Sequence, residues 1–243
     1  MTFLDIHSHI LPAIDDGAKD METALALLEM LKSQGVTDVI ATPHFYPDED
    51  NAEDYVIAVQ NAYNNLKQEL TGKDLPNVYL GCELRYFNGI GKSESINQFV
   101  IKGTNYLLVE LPYGTPITDI VLQDIINISE RQGLIPILAH IERYSKVKGY
   151  KKLLKLISDG YALAHINAGG VASKEEAKCC EKLIKGGYVS YLASDTHSVH
   201  NRPPQFEEAF KVLTERLGKS VVNRFVYKSN QLLEEIEAAN EQQ

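Results

Sequence analysis

Phe3-Leu4-Asp5-Ile6-His7-Ser8-His9 is an apolar, β-prone run that ends in two histidines separated by one residue. Side chains two apart in a strand leave toward the same side, so His7 and His9 point together while Ser8 faces the other way. Two imidazoles so arranged can share one cation. The same pattern recurs along the chain, with an apolar run each time delivering a histidine or carboxylate at its end. Val36 to Thr42 leads to Pro43-His44, Val78 to Cys82 to Glu83, and Tyr106 to Val109 to Glu110. Ile135 to Ala139 precedes His140, and Tyr188 to Ala193 precedes Asp195 and His197. A further strand, Tyr161 to Asn167, contains His165.

Helical patterns separate these runs. Asp20 can cap a helix carrying Leu25, Leu28 and Leu31, stopped by Gly35, and a long helix runs through Tyr63 to Leu70. A helix from about Thr118, with Ile120, Val121, Ile125 and Ile128, stops at Gly133. Lys151 to Ser158 and Glu175 to Ile184 read as two more, and helix dominates the chain beyond His197. Seven strands alternating with helices imply a parallel sheet. Candidate ligands end strands one to five and seven, and only a closed or nearly closed barrel gathers that many strand ends around one point. The expectation is therefore an α/β fold, a distorted seven-stranded (β/α)7 barrel, forming a single domain over residues 1–243.

Bulk properties agree with one such unit. The chain has 243 residues, 44% of them hydrophobic, and α/β barrels commonly span roughly 200 to 250 residues as one domain. Twenty-four Lys and Arg stand against 33 Asp and Glu, a formal charge of -9 that repels a phosphate backbone and argues against nucleic acid as partner. Cys82, Cys179 and Cys180 form no disulfide framework, which fits a reducing cytoplasm. The opening residues lack the basic and apolar regions of a signal peptide, and the apolar runs are too short for the ~18 residues of a bilayer span. A cytoplasmic protein that is not an integral membrane protein is expected; an oligomer stays open.

Nine residues form the candidate metal set: His7, His9, Asp16, His44, Glu83, Glu110, His140, Asp195 and His197. Imidazole and carboxylate without thiolate suit Mn, Fe, Zn or Co, and nine ligands exceed one tetrahedral centre, so two or three divalent ions are expected. Metals about 3.5 to 4 Å apart can clamp the attacking and leaving oxygens of an in-line displacement, which suits phosphoester hydrolysis. Arg143 and Arg202 each lie just beyond such a strand end, and a guanidinium can grip phosphate oxygens with paired donors as charge builds up. Asp15 competes with Asp16, Asp15 capping a turn before Gly17 in the plainer reading. Asp5 either orients an imidazole or makes a structural hydrogen bond. His165 and His200 are expected not to be ligands, and Glu142 to be a solvent or salt-bridge residue. Tyr46, Tyr86 and Tyr113 are candidates for the entrance rim. A cysteine-dependent phosphatase would need Arg six positions after its Cys, where Asn88, Lys185 and Gly186 stand instead.

Asp5-Ile-His-Ser-His9, Asp15-Asp-Gly17, Ala41-Thr-Pro-His44, Ala139-His-Ile-Glu-Arg-Tyr144 and Ala193-Ser-Asp-Thr-His197 with Arg202-Pro203 resemble the bacterial PHP-class protein-tyrosine phosphatases, of the polymerase and histidinol phosphatase superfamily. The motifs come in the family's order over nearly the whole chain. The resemblance implies a distorted seven-stranded barrel with a trinuclear, manganese-preferring centre that strips phosphate from the tyrosine-rich tail of a bacterial tyrosine kinase in capsule or exopolysaccharide synthesis. By that resemblance His7, His9, Glu83 and Asp195 would hold one metal, Glu83 would bridge to a second held by Glu110 and His140, and Asp16, His44 and His197 would hold a third. Arg143 and Arg202 match the family's phosphate-binding arginines; a tyrosine leaving group, with a pKa of about 10, needs little protonation, so a dedicated acid can be absent and Asp195 or a metal-held water can give the proton. His165 departs from the Gln more usual there, and the acidic stretch from Asp48 to Asp54 is a second departure. The alternatives are a small-molecule phosphomonoesterase such as histidinol-phosphate phosphatase, a binding protein that holds phosphopeptide without turnover, and a nuclease, the last disfavoured by charge.

Overall fold

The computed structural model describes residues 3–241, so two residues at each end of the expected 1–243 span lie outside the described residues. Its first strand, β1 (Leu4–Ser8), is followed by helix α1 (Met21–Ser33), whose N-cap Asp20 accepts a hydrogen bond from the Thr23 N–H. The buried stripe of α1 is Ala24, Leu27, Leu28 and Leu31; Leu25 sits on its flank, half-buried. Strands β2 (Asp38–Ala41) and β3 (His44–Phe45) precede α2 (Ala52–Leu70), which Asn51 caps through the N–H groups of Glu53 and Asp54. The acidic stretch before α2 is thus partly a helix entry, with Asp50 accepting the Tyr46 N–H at 2.7 Å.

Strands β4 (Asn77–Leu80), β5 (Glu83–Arg85) and β6 (Tyr106–Glu110) come next, then α3 (Asp119–Glu130). Thr118 caps α3 as its position suggests, and Val121, Ile125 and Ile128 are buried, but Ile120 is 61% exposed. After β7 (Ile135–Leu138) and α4 (Tyr150–Ser158), β8 (Leu163–Asn167) runs directly into a short helix, α5 (Ala168–Ala172). That helix is not foreseen, because Gly169-Gly170 reads as a breaker. Both glycines sit close to polar side-chain ends: a Cβ on Gly169 would lie 2.7 Å from Gln205 Oε1, and one on Gly170 would approach the Glu142 and Glu176 carboxylates. Helix α6 (Ala177–Lys185), strand β9 (Tyr191–Ala193) and helices α7 (Phe206–Leu217) and α8 (Lys219–Asn240) complete the order.

All strand pairs are parallel, in a three-stranded sheet β1-β2-β4 and a curled six-stranded sheet β3-β5-β6-β7-β8-β9. Among the described residues, the seven strands expected from the sequence are thus nine shorter ones in two sheets. The second expected strand, Val36 to Thr42, ends at Ala41 and β3 starts beyond a break at Thr42-Pro43; the third, Val78 to Cys82, ends at Leu80 and β5 starts beyond a break at Gly81-Cys82. Pro43 has no N–H to continue a ladder. Backbone hydrogen bonds nonetheless carry across both breaks, Gly81 N–H to Ala41 O at 2.9 Å and Glu83 N–H to Pro43 O at 3.1 Å. At the other edge, β9 approaches β1 through the Ser8–Thr196 bridge, with His9 N–H donating to Thr196 O and Asp195 N–H to His7 O, both at 2.9 Å.

Two apolar clusters flank the strands. The outer one joins Val39, Val78, Leu107, Val109, Leu138 and Leu192 to helices α1–α7. The inner one joins Leu4, Ile6, Ile40, Leu108, Ile137 and Tyr191 to Leu232, Leu233 and Ile236 of α8, which closes the lower end of the curl. Leu4 and Ile6 face inward, yet His7 also reaches the inner side at the upper end. The register irregularity between Asp5 and Ser8 supplies that change of phase, as a bulge beside a functional site does.

Candidate metal centre

The upper strand ends bring eight of the nine proposed ligands into one buried cluster, with Asp16 reaching it from an exposed loop. Glu83, fully buried at the start of β5, is its hub: Oε2 lies 3.1 Å from His7 Nε2, 3.3 Å from His9 Nε2 and 3.0 Å from His44 Nδ1. Its Oε1 lies 3.1 Å from His140 Nε2, which is 3.6 Å from Glu110 Oε1. Asp195 turns Oδ1 toward His7 Nε2 and His9 Nε2, at 3.7 and 3.6 Å. On the far flank Asp16 Oδ1 lies 3.3 Å from His197 Nε2 and 3.6 Å from His44 Nε2. Two members sit in the left-handed region that L-residues rarely occupy, His140 at φ 34° and Asp195 at φ 51°. Such strain persists only where surrounding structure holds it, and it gathers at functional sites.

Three groupings could each hold a cation: His9, Asp16, His44 and His197; His7, His9 and Asp195; and His44, Glu83 and Glu110. His9 and His44 each belong to two of them. The partition differs in detail from the one the motif resemblance implies, since His44 faces Glu83 as well as Asp16. A physical test of fit lies in the polar atoms that find no hydrogen bond. Glu83 Oε2, His44 Nδ1 and His197 Nε2 are buried inside the cluster close to opposite charges but without a well-directed hydrogen bond, although buried polar groups are otherwise almost always so bonded. Divalent ions shared by these donors would satisfy them together, and a nitrogen and oxygen set without thiolate suits Mn, Fe, Co or Zn.

Protonation reflects the crowding. Burial disfavours charge on His9, but hydrogen bonds to the Asp15 and Glu83 carboxylates raise its pKa to about 10. Burial and the charge of His9 push His197 down to about 2. Glu110 is raised to about 7 by burial and by Glu83. Burial also opposes charge on Asp195, yet His7, His140 and Arg143 hold its carboxyl well below the usual range. An ionised Asp195 suits a ligand.

The surroundings separate several residues that the sequence leaves open. Asp15 accepts a 2.6 Å hydrogen bond from His9 Nδ1 and also holds the Gly17 and His44 N–H groups. It orients an imidazole, whereas Asp16 faces the imidazoles of His44 and His197. Asp5 accepts from the Ser194 N–H at 3.0 Å and the Ser194 hydroxyl at 2.5 Å, joining β1 to β9 below the cluster. Arg143 and Arg202 each bring Nη2 to 2.8 Å from Asp195 Oδ2, beside a cavity of about 170 Å³. Glu142 is buried, not solvated: its Oε1 accepts the Asn167 N–H, and burial raises its pKa to about 8.

Tyr46 stacks on His44 at 5.0 Å between ring centroids, with the Arg85 guanidinium 5.1 Å from its ring centre. Tyr86 donates instead to Asp124, and Tyr113 is 73% exposed. His200 is exposed. The Cys82 and Cys180 thiols are pushed up by burial, which favours inert structural roles. Sequence reasoning gives His165 no role and passes over Asn167; His165 Nε2 lies 2.8 Å from His7 Nδ1, and Asn167 Nδ2 donates to Asp195 Oδ2 at 2.7 Å. Both sit on the inner face of β8, two residues apart, a signal that strand periodicity could have raised.

The chain resembles known proteins along nearly its whole length. It is 29% identical over 227 residues to the tyrosine-protein phosphatase YwqE of Bacillus subtilis, covering 90% of this chain and 86% of that protein. It is 33% identical over 219 residues to the putative tyrosine-protein phosphatase CapC of Staphylococcus aureus, covering 85% and 82%. A crystal structure from work on YwqE from Bacillus subtilis and CpsB from Streptococcus pneumoniae, described as unique metal-dependent tyrosine phosphatases, superimposes with a TM-score of 0.83 at 28% identity, covering 96% of this chain and 94% of that one. A histidinol phosphate phosphatase from Lactococcus lactis shares the fold, with a TM-score of 0.52 at 12% identity over 88% of this chain and 94% of the other. The model of the capsular polysaccharide synthesis family CpsB/CapC matches residues 3–234, and this chain belongs to that family.

Proposed function

We propose that this protein is a metal-dependent phosphotyrosine-protein phosphatase acting in capsule or exopolysaccharide synthesis, with a tyrosine-phosphorylated bacterial kinase as substrate. The observation that carries the reading is the shared carboxylate of Asp195, one oxygen facing the imidazole cluster and the other held by two arginines. That joins a site for cations to a site for phosphate. The tyrosine-protein phosphatases YwqE and CapC, similar along most of their length, support the substrate class.

His7, His9, Glu83 and Asp195 would hold one cation, Glu83, Glu110 and His140 a second, and Asp16, His44 and His197 a third, with manganese as the preferred metal. When bound, these cations supply Lewis acidity at phosphoryl oxygens and acidify water enough to attack near neutral pH. Arg143 and Arg202 remain partly exposed and can exchange Asp195 for the phosphoryl oxygens that are not displaced. Asn167 keeps a donor on Asp195 Oδ2 when they do, so that the buried carboxylate is not left without partners. One bond from phosphorus to water oxygen forms as the bond to the tyrosine oxygen breaks, and the proton released by water ends on that oxygen. A phenol of pKa about 10 leaves with little help, so no dedicated acid is required.

The two sheets serve, in this reading, as one distorted seven-staved barrel in a single domain, β2 with β3 and β4 with β5 each forming an interrupted stave. Hydrogen bonding across both breaks and the Ser8–Thr196 bridge support it. A cytoplasmic location is inferred from the unpaired cysteines, and no helix among the described residues is long and apolar enough to cross a membrane. Side-by-side turnover of a phosphotyrosine peptide and histidinol phosphate, with Mn²⁺ added, tests the reading. The peptide should be hydrolysed far faster; a large preference for histidinol phosphate would overturn the substrate, and a peptide bound but left intact would overturn catalysis.

A further inference from the structure

Strand β8 ends in no candidate ligand, yet its inner face carries the fully buried His165. His165 Nε2 lies 2.8 Å from His7 Nδ1, with the two rings nearly perpendicular at 83°. The same Nε2 receives the backbone N–H of His140 at 3.4 Å. A backbone N–H can only donate, so a proton on Nε2 would face it directly, and Nε2 must carry the lone pair. His7 Nδ1 is then the donor across the 2.8 Å contact, and Nε2 is the ring nitrogen turned toward Glu83, His9 and Asp195. The proton of His165 must reside on Nδ1, which is buried without a partner. Leaving such a group unpaired is costly, a cost the fold sustains while keeping the His7 arrangement.

We infer that His165 is a positioning residue that fixes the tautomer and ring orientation of His7 and ties it to the backbone turn of His140. One imidazole thereby couples two strand ends on opposite sides of Glu83. Partners of this kind, holding the second nitrogen of a metal-binding histidine, typically change metal affinity by about 10–100-fold when removed. The affinity part of the inference rests on the proposed cation site; the tautomer part does not.

The test compares the full-length protein with His165→Phe, which keeps a ring but removes the acceptor, and His165→Gln, whose carbonyl oxygen can accept the same hydrogen bond. Long-range ¹H–¹⁵N spectra of the metal-free, histidine-labelled proteins report the His7 tautomer, and calorimetric titration with Zn²⁺ alone reports affinity. His7 should be protonated at Nδ1 in the wild type and in His165→Gln, and should lose that single tautomer in His165→Phe. Zn²⁺ affinity should fall about 10–100-fold in His165→Phe and be largely restored in His165→Gln. A wild-type His7 with no proton on Nδ1 would overturn the inference, and so would wild-type tautomer and affinity in a folded His165→Phe protein. Should His165→Phe not fold, the wild-type and Gln tautomers decide. Failure of the wild type to bind Zn²⁺ would count against the cation site, leaving the tautomer to judge His165.

Discussion

The lower and upper ends of the inner sheet face are built from the same strands and do opposite things. Below, Leu4, Ile6, Ile40, Leu108, Ile137 and Tyr191 close on Leu232, Leu233 and Ile236 of α8, an apolar plug that stabilises by burial. Above, one turn of strand further on, His7, Glu83, His140, His165 and Asp195 are equally buried but polar, with donor and acceptor atoms lacking partners. The lower end holds the fold; the upper end sacrifices stability to keep a charged, preorganised cavity. Substitutions should therefore divide cleanly between the two.

The largest effect is expected at Glu83, whose two oxygens face four imidazoles. Glu83→Gln should reduce both cation content by elemental analysis and phosphotyrosine-peptide turnover by more than about 100-fold, exceeding the usual cost of losing an outer partner. Retention of full metal content would break the contrast. Arg143→Ala and Arg202→Ala should each lower kcat/KM by about 10²–10³ while bound metal is unchanged, the usual range for one preorganised donor to developing charge. Loss of metal along with activity would assign the arginines to structure instead.

At the lower end, Ile236→Ala should cost about 2–5 kcal/mol in denaturant unfolding and leave cation stoichiometry as it was. A change in stoichiometry would show that the ends are not independent. The smallest effect concerns Glu142, whose buried carboxyl is raised to about 8. A raised carboxyl favours folding in its neutral form, so that contribution is complete below the ordinary pKa and disappears as pH rises through about 8. Glu142→Gln, neutral throughout, should gain about 1 kcal/mol or more on the wild type between pH 5 and pH 9 in metal-free unfolding. An unchanged difference across that range would show that Glu142 is ionised in the fold.

The upper end was more legible in the sequence than the sheet that carries it. His7, His44, Glu83, Glu110, His140 and Asp195 announce themselves because an apolar run ending in a charged or imidazole side chain is costly unless that end is used. The breaks at Pro43 and Gly81 were hidden because hydrophobic runs record burial, not which N–H groups find partners. The phase change before His7 was equally hidden, since strict alternation puts Ile6 and His7 on opposite faces, and only the register irregularity between Asp5 and Ser8 reconciles them. Asp15 and Asp16 could be divided only by geometry, one carboxylate turning to His9 Nδ1 and the other to His44 and His197. His165 was read without a role and Asn167 was passed over because their contacts are with other strands: a two-residue spacing marks a shared face of β8 but not what that face touches.

Anomalous diffraction at the manganese edge, from crystals of the protein loaded with Mn²⁺, tests the central claim most directly. Two or three peaks are predicted around Glu83, bounded by His7, His9, His44, His140, Asp195 and His197. A map with no peak among those side chains, or with manganese bound only elsewhere on the surface, would contradict it.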